Sequence, residues 1–305
     1  MAAERFVPVL ALLFGAAALA YGGIFVRQSE LGPTASAVHR VGLAVPLLLL
    51  FRLVMPAPPP VPGAAQERSR RRLRLILVGF IFSGNLALYH WSIMLTTLAN
   101  AALLANLAPL FVVLGSWLVF GKRFTRTFVV GLVATLAGTA MLIGARVDPG
   151  TTHVLGGVLG IVTAAFYGAY LLAVNRVRAY FDTATVMMWS SVGTFLVLLP
   201  IAPTLGESLI PHTLHGAWNL LALALISHVG GQGSIAYALA HLPAAMSSVT
   251  LLIQPVMAAA FGWALLGEEP RLAEYVGGLV VLAGIVIARL GSSPKDEDAR
   301  SIQAK

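Results

Sequence analysis

The chain has 305 residues, of which 58% are hydrophobic and 10% charged, with a formal net charge of +8 and no cysteine. A soluble domain carries about 25% charged residues, and one water-facing core cannot hide this much apolar surface, so the solvent for most of the chain is lipid. The absence of thiols excludes disulfides and thiolate metal sites, and the basic residues lie between apolar runs, which is a membrane-orientation pattern and not a nucleic-acid footprint.

The first apolar segment covers about residues 6–26 behind a single basic residue, Arg5. Ala16-Ala17-Ala18 could pass for a cleavage site, but the apolar run continues to Val26, which is long enough to span, so the segment is expected to be retained. Nine further apolar segments follow at about 35–55, 73–94, 98–119, 126–144, 153–174, 183–202, 216–239, 243–265 and 271–290. Each is near the ~20 residues a helix needs to cross ~30 Å of hydrocarbon. Helices are required because lipid offers no partner to backbone polar groups. Connections are short apart from residues 56–72, PAPPPVPGAAQERSRRR, which is expected to form an unstructured basic loop at the headgroups.

Placing the N-terminus inside puts sixteen basic residues in the inner segments, against Arg27, Arg146 and Arg271 in the outer ones. That bias places both termini in the cytoplasm. One stretch of the chain also occurs twice. Pro255 lies 146 residues after Pro109, and at the same shift Gly121 falls on Gly267, Gly131 on Gly277 and Gly138 on Gly284, while Tyr21-Gly22 falls on Tyr167-Gly168. The hairpin within the first copy is Gly121-Lys122-Arg123 and that within the second is Gly267-Glu268-Glu269. Five crossings separate them, so the basic hairpin is inside and the acidic one outside. The expected fold is an all-α membrane protein of ten transmembrane helices built as two inverted five-helix repeats, residues 1–146 and 147–291, with a cytoplasmic tail over 292–305. Such repeats bind substrate near the midplane and work by alternating access.

All twelve acidic residues fall at or outside the segment ends, so no carboxylate is available at mid-membrane as a proton relay. The lack of HExxH, GxSxG and GxxxxGK[ST] motifs argues against a membrane hydrolase and against nucleotide binding, and no cofactor is expected. The third segment carries Ser83, Asn85, Tyr89, His90 and Ser92 on one half of its surface, with Trp91 pointing away. This half faces either a cavity, with Tyr89 and His90 at its wall, or neighbouring helices that Asn85 and Ser92 bond. In the eighth segment His228 and Gln232 are i, i+4 neighbours, with Tyr237 further on, and the Gly230-Gly231 pair permits close packing or local unwinding. Here His228 is either a substrate contact or a satisfied core histidine.

Ser247, Thr250 and Gln254 form one stripe on the ninth segment. Pro255 frees the carbonyl of Leu251 and Pro109 that of Ala105, which makes the two prolines symmetric candidates for hinges or substrate acceptors. Tyr21, Tyr167 and Tyr170 supply aromatic walls, and Trp189 and Trp218 read as interfacial anchors. Arg40 is expected to cap helix ends or snorkel to headgroups; within a cavity it would hold a substrate carboxylate.

The chain resembles the drug/metabolite transporter superfamily in its ten-helix form with two EamA domains. The resemblance rests on Tyr21-Gly22 with Phe25, Pro33, Arg40, the run Asn100-Ala101-Ala102-Leu103-Leu104 through Pro109 to Gly121, and the second copy ending at Gly267-Glu268-Glu269-Pro270. Tyr21 stands where the family usually has Trp, and Lys122 where it usually has an acid. The resemblance covers nearly all of residues 6–290. It implies export of small metabolites without ATP, and the branch it is most similar to is the bacterial amino-acid exporters.

The expected protein is a monomeric carrier in the bacterial cytoplasmic membrane that exports small metabolites, foremost amino acids, aromatic or otherwise neutral. A multidrug exporter for aromatic cations is the alternative within the class; no midplane acid exists to pair with a cation. Because the chain has no native cysteine, orientation is directly testable. An impermeant maleimide on intact cells should label E268C, and should label K122C only after permeabilisation; labelling of both from one side would refute the inversion.

Overall fold

In the computed structural model, residues 2–54, 65–95, 103–144, 154–266 and 271–292 are described. They form ten helical spans, each long and apolar enough to cross a membrane, and no strand occurs among them. We number these α1 (Ala2–Arg27), α2 (Pro33–Gly42 continuing as Ala44–Val54), α3 (Ala65–Leu95), α4 (Leu103–Phe120), α5 (Arg126–Gly144), α6 (Val154–Val177), α7 (Thr183–Thr204), α8 (Leu214–Ala238), α9 (Ala244–Leu266) and α10 (Leu272–Gly291). The large apolar side chains left exposed, such as Leu50, Val133, Leu196 and Leu279, are the ones a bilayer would cover.

The expected basic loop over 56–72 needs one correction: residues 65–72 belong to α3. Past the prolines the sequence Ala-Gln-Glu-Arg-Ser-Arg-Arg-Arg consists almost wholly of good helix formers, with Glu67 four residues before Arg71. The helix therefore starts two turns before its apolar part. The Asn100-Ala101-Ala102 motif, the Glu268-Glu269 hairpin and the tail beyond Ser292 lie outside the described residues.

Helix starts account for the four acids whose side chains are described. Asp182 caps α7, accepting from the Thr185 amide at 3.0 Å. Glu207, just past α7, accepts from the Ala35 amide in the first turn of α2 at 2.6 Å. Glu30 accepts from the amides of His212 and Thr213 at 3.1 Å each, just ahead of α8. Glu274 closes a capping box at the start of α10. A carboxylate at these places meets unpaired N–H groups and the positive end of the helix dipole.

The two halves interlock. Glycines on α5 and α10 let the backbones touch: a Cβ on Gly131 would stand 2.7 Å from the Gly284 carbonyl oxygen, and one on Gly138 would stand 2.8 Å from that of Gly277. The 146-residue shift exchanges these two contacts, since it carries Gly131 to Gly277 and Gly138 to Gly284. Self-complementary exchange of this kind is what a two-fold axis produces. The same shift relates further contacts: α1 lies against α8 and α9, α6 lies against α3 and α4, and α2 pairs with α7.

At one end of the bundle Arg52 pairs with Asp182 at 2.8 Å and donates to Thr185 Oγ1 at 2.7 Å. At that end also, the Arg176 guanidinium lies 5.2 Å from the Phe120 ring centroid, and Thr125 donates to the Gly291 carbonyl at 2.5 Å. These contacts bring the basic connections to a common end. The Glu30 and Glu207 contacts join α2, α7 and α8 at the other end.

Two consequences are measurable. Gly138→Leu should destabilise the protein by at least the ~1–3 kcal/mol typical of overpacking, because backbone atoms stand in the way, whereas Gly144→Leu, with open space around its Cβ, should be tolerated; thermal unfolding in detergent compares them. Burial raises the Asp182 pKa, but the bonds from Thr185 and the charge of Arg52 outweigh it and hold the carboxyl below its usual value. Its contribution is thus present above the unfolded value of about 3.9 and lost as pH falls through the lower folded value. Asp182→Ala should cost about 1 kcal/mol at neutral pH through the lost cap and flatten the stability profile below about pH 4.

Candidate functional site

The centre of the bundle is marked by an aromatic pair. His228 on α8 lies 146 residues after Phe82 on α3, so the two are equivalent positions of the repeat, and their ring centroids are 5.8 Å apart. Tyr170 on α6 packs against Phe82 at 4.5 Å. Tyr167, three residues earlier on the same face, stacks with Tyr170 at 6.2 Å and 12°.

The polar groups here are buried and only partly satisfied. His228 Nε2 bonds Ser191 Oγ on α7 at 2.8 Å, the donor depending on the tautomer, while its Nδ1 has no protein partner. Gln232 lies beside the Tyr167 and Tyr170 hydroxyls, but neither its amide nitrogen nor the Tyr167 hydroxyl forms a hydrogen bond of acceptable geometry. Arg40 on α2 is 9% exposed. Tyr89, Tyr167 and Tyr170 lie within electrostatic range of it, as do His90 and His228, and its Nε is unpartnered. An unmet polar group in this setting costs free energy that a ligand can recover.

The helices around this cluster are irregular for identifiable reasons. Within α8, residues Leu223–Gln232 form a π-helix that carries both His228 and Gln232. It is accommodated where α8 meets α1 through glycine: a Cβ on Gly15 would stand 2.8 Å from the Gly231 carbonyl oxygen. Such π segments recur at functional sites. In α9 a 3₁₀ turn over Leu251–Ile253 separates Ala244–Thr250 from Gln254–Leu266. In α4 the bonds Leu107 N to Leu104 O (3.1 Å) and Leu110 N to Leu107 O (2.9 Å) make the equivalent tight turn. Each turn lies just before Pro109 or Pro255, whose missing N–H and bulky ring disfavour the i→i−4 bond. The α2 helix breaks at Leu43, three residues before Pro46, for the same reason.

Other expected site residues are placed differently. On α3, His90 Nδ1 bonds the Pro33 carbonyl at 2.6 Å, Asn85 donates to the Thr163 carbonyl at 3.4 Å, and Ser92 donates to the Gly156 carbonyl at 2.8 Å. The polar half of α3 thereby stitches it to α2 and α6, and Tyr89 lies within electrostatic range of Arg40. Thr250 bonds back to the Met246 carbonyl at 2.9 Å; Ser247 is buried with an unpartnered hydroxyl, and Gln254 is half-buried. Tyr21 sits edge-on to Phe25 and Phe261, between α1 and α9. Tyr237 lies past the π-helix against His241 at 4.6 Å and near Arg178, away from the cluster. Trp218 is exposed near the start of α8, whereas Trp189 packs against the core. The structure brings together Tyr89, Tyr167, Tyr170, His228 and Gln232, and adds Arg40, Phe82 and Ser191. Ser191 gave no signal in the sequence; Phe82 did, as the residue aligned with His228.

These spans define a multi-pass, all-helical membrane protein. The EamA-like transporter family matches the chain twice, over residues 7–144 and 154–290, and the chain belongs to that family. It is 28% identical to the pseudopaline exporter CntI of Pseudomonas aeruginosa over 81% of this chain and 83% of that one. It is 25% identical to the threonine/homoserine exporter RhtA of Escherichia coli over 94% and 91%, and to a probable terminal-alkyne amino-acid exporter of Streptantibioticus cattleyicolor over 81% and 82%. A solved crystal structure superposes with a TM-score of 0.76 at 18% identity, covering 95% of this chain and 98% of that one, and speaks for the fold.

Proposed function

We propose that this protein exports small amino-acid-like metabolites across the bacterial cytoplasmic membrane by alternating access between two inverted halves, residues 1–146 and 147–291. The observation that carries the reading is the π-helix of α8, which holds His228 and Gln232, each with an unpartnered polar atom, and sets Gln232 beside the stacked Tyr167 and Tyr170. A site on the repeat axis is reached equally from both sides when one half rocks against the other. The paired turns before Pro109 and Pro255 are the places where α4 and α9 bend. Both termini and the basic connections face the cytoplasm. The carrier acts as a monomer, because each half already buries its interlocking face on the other. The three relatives named above support amino-acid-like cargo through what they export.

Counterflow in liposomes tests this with a panel of neutral L-amino acids. Efflux of at least one should saturate and accelerate when the same amino acid is present on the far side, and Gln232→Leu should lower its apparent affinity about tenfold, the scale of one lost buried hydrogen bond. Unsaturable flux, indifferent to trans substrate, would overturn alternating access.

A further inference from the structure

We propose that Arg40 is the carboxylate anchor of the transport site, so that cargo must present a free carboxylate to be bound; this rests on the amino-acid reading above and names the group it selects. Three observations carry it. First, the guanidinium is buried without a counter-ion. Among the acids whose side chains are described, Glu30, Asp182, Glu207 and Glu274, each serves a helix start at the ends of the bundle. Second, Arg40 is too deep for its charge to be met by headgroups. It stands seven residues into α2, about 10 Å along the axis at 1.5 Å per residue, and it is 9% exposed. Third, its surroundings are donors and rings. The hydroxyls of Tyr89, Tyr167 and Tyr170 lie in its electrostatic range, and Gln232 with its unpartnered amide nitrogen lies beside two of them.

An anion placed here meets a planar fork that pairs with both carboxylate oxygens. The Gln232 amide nitrogen and the Tyr167 hydroxyl remain to donate to the same group. Phe82 and the stacked tyrosines then offer apolar faces to the rest of the molecule. A cationic drug would face the fixed charge of Arg40, with no carboxylate among the described side chains to offset it.

The test uses the full chain, purified, with L-threonine, L-homoserine and L-phenylalanine, each beside its methyl ester and its decarboxylated amine. Thermal shift and counterflow competition are the readouts, on wild type, Arg40→Gln and Arg40→Lys. At least one free acid should bind, its ester and amine should bind at least about 30-fold more weakly, and Arg40→Gln should lose that preference, in line with removal of one member of a buried charge pair. Arg40→Lys should keep part of it, since the charge remains but the fork does not. Without ligand, Arg40→Gln should melt no lower than wild type, because it removes an uncompensated buried charge. If acid and ester bind equally, if Arg40→Gln retains the preference, or if that variant melts well below wild type or fails to fold, Arg40 is structural and the anchor is wrong while amino-acid transport stands. If no acid in the panel binds, or only amines do, the amino-acid reading falls and the anchor falls with it.

Discussion

The hydrocarbon layer of a membrane supplies no hydrogen bonds, and each polar group left unmet there costs several kcal/mol. This constraint decides which polar side chains of the protein are structural and which are poised for a ligand. Along α3 the constraint is met within the protein: His90 holds the Pro33 carbonyl, Asn85 the Thr163 carbonyl and Ser92 the Gly156 carbonyl. Around Arg40, Tyr167, His228 and Gln232 it is left unmet. The difference lies between groups whose partners belong to neighbouring helices and groups gathered on the seam between the two halves.

The backbone follows the same division. Where α5 crosses α10, glycines bring the backbones of regular helices into direct contact. Regular geometry is lost in α2, α4, α8 and α9, by proline in three of them and by a π-helix in α8. Irregular backbone inside a membrane must be covered by protein, which confines it to the interior. Scaffold and moving parts are thus separated by residue type: glycine at the crossing, proline where helices turn. Glu30, Asp182, Glu207 and Glu274 keep apart from both, each spent on a helix start where unpaired amides await it.

Local periodicity made the ten spans legible, and their observed limits differ from those read in the sequence by a few residues at most ends, because the length of an apolar run is itself the physical requirement. The exception is α3, whose start was hidden because Arg68 to Arg72 looked like a loop by charge while being helical by propensity. For the site, sequence singled out His228, Gln232, Tyr167 and Tyr170 as intramembrane polar groups, and spacing along one helix sufficed to pair His228 with Gln232. It placed Tyr237 and His90 on equal terms with them, since nothing local distinguishes a histidine that finds the Pro33 carbonyl from one that keeps a free nitrogen.

By itself, then, the sequence determined the solvent, the number of crossings, the duplication and the absence of a mid-membrane acid, because composition and period express how much apolar surface each segment must show to lipid. Only the tertiary structure decided which polar groups are satisfied and which are not. A hydrogen bond between α8 and α7, such as His228 to Ser191, joins residues 37 apart, and the surroundings of Arg40 depend on how α3, α6 and α8 lie around it. These are properties of assembled distances, and no single segment carries them.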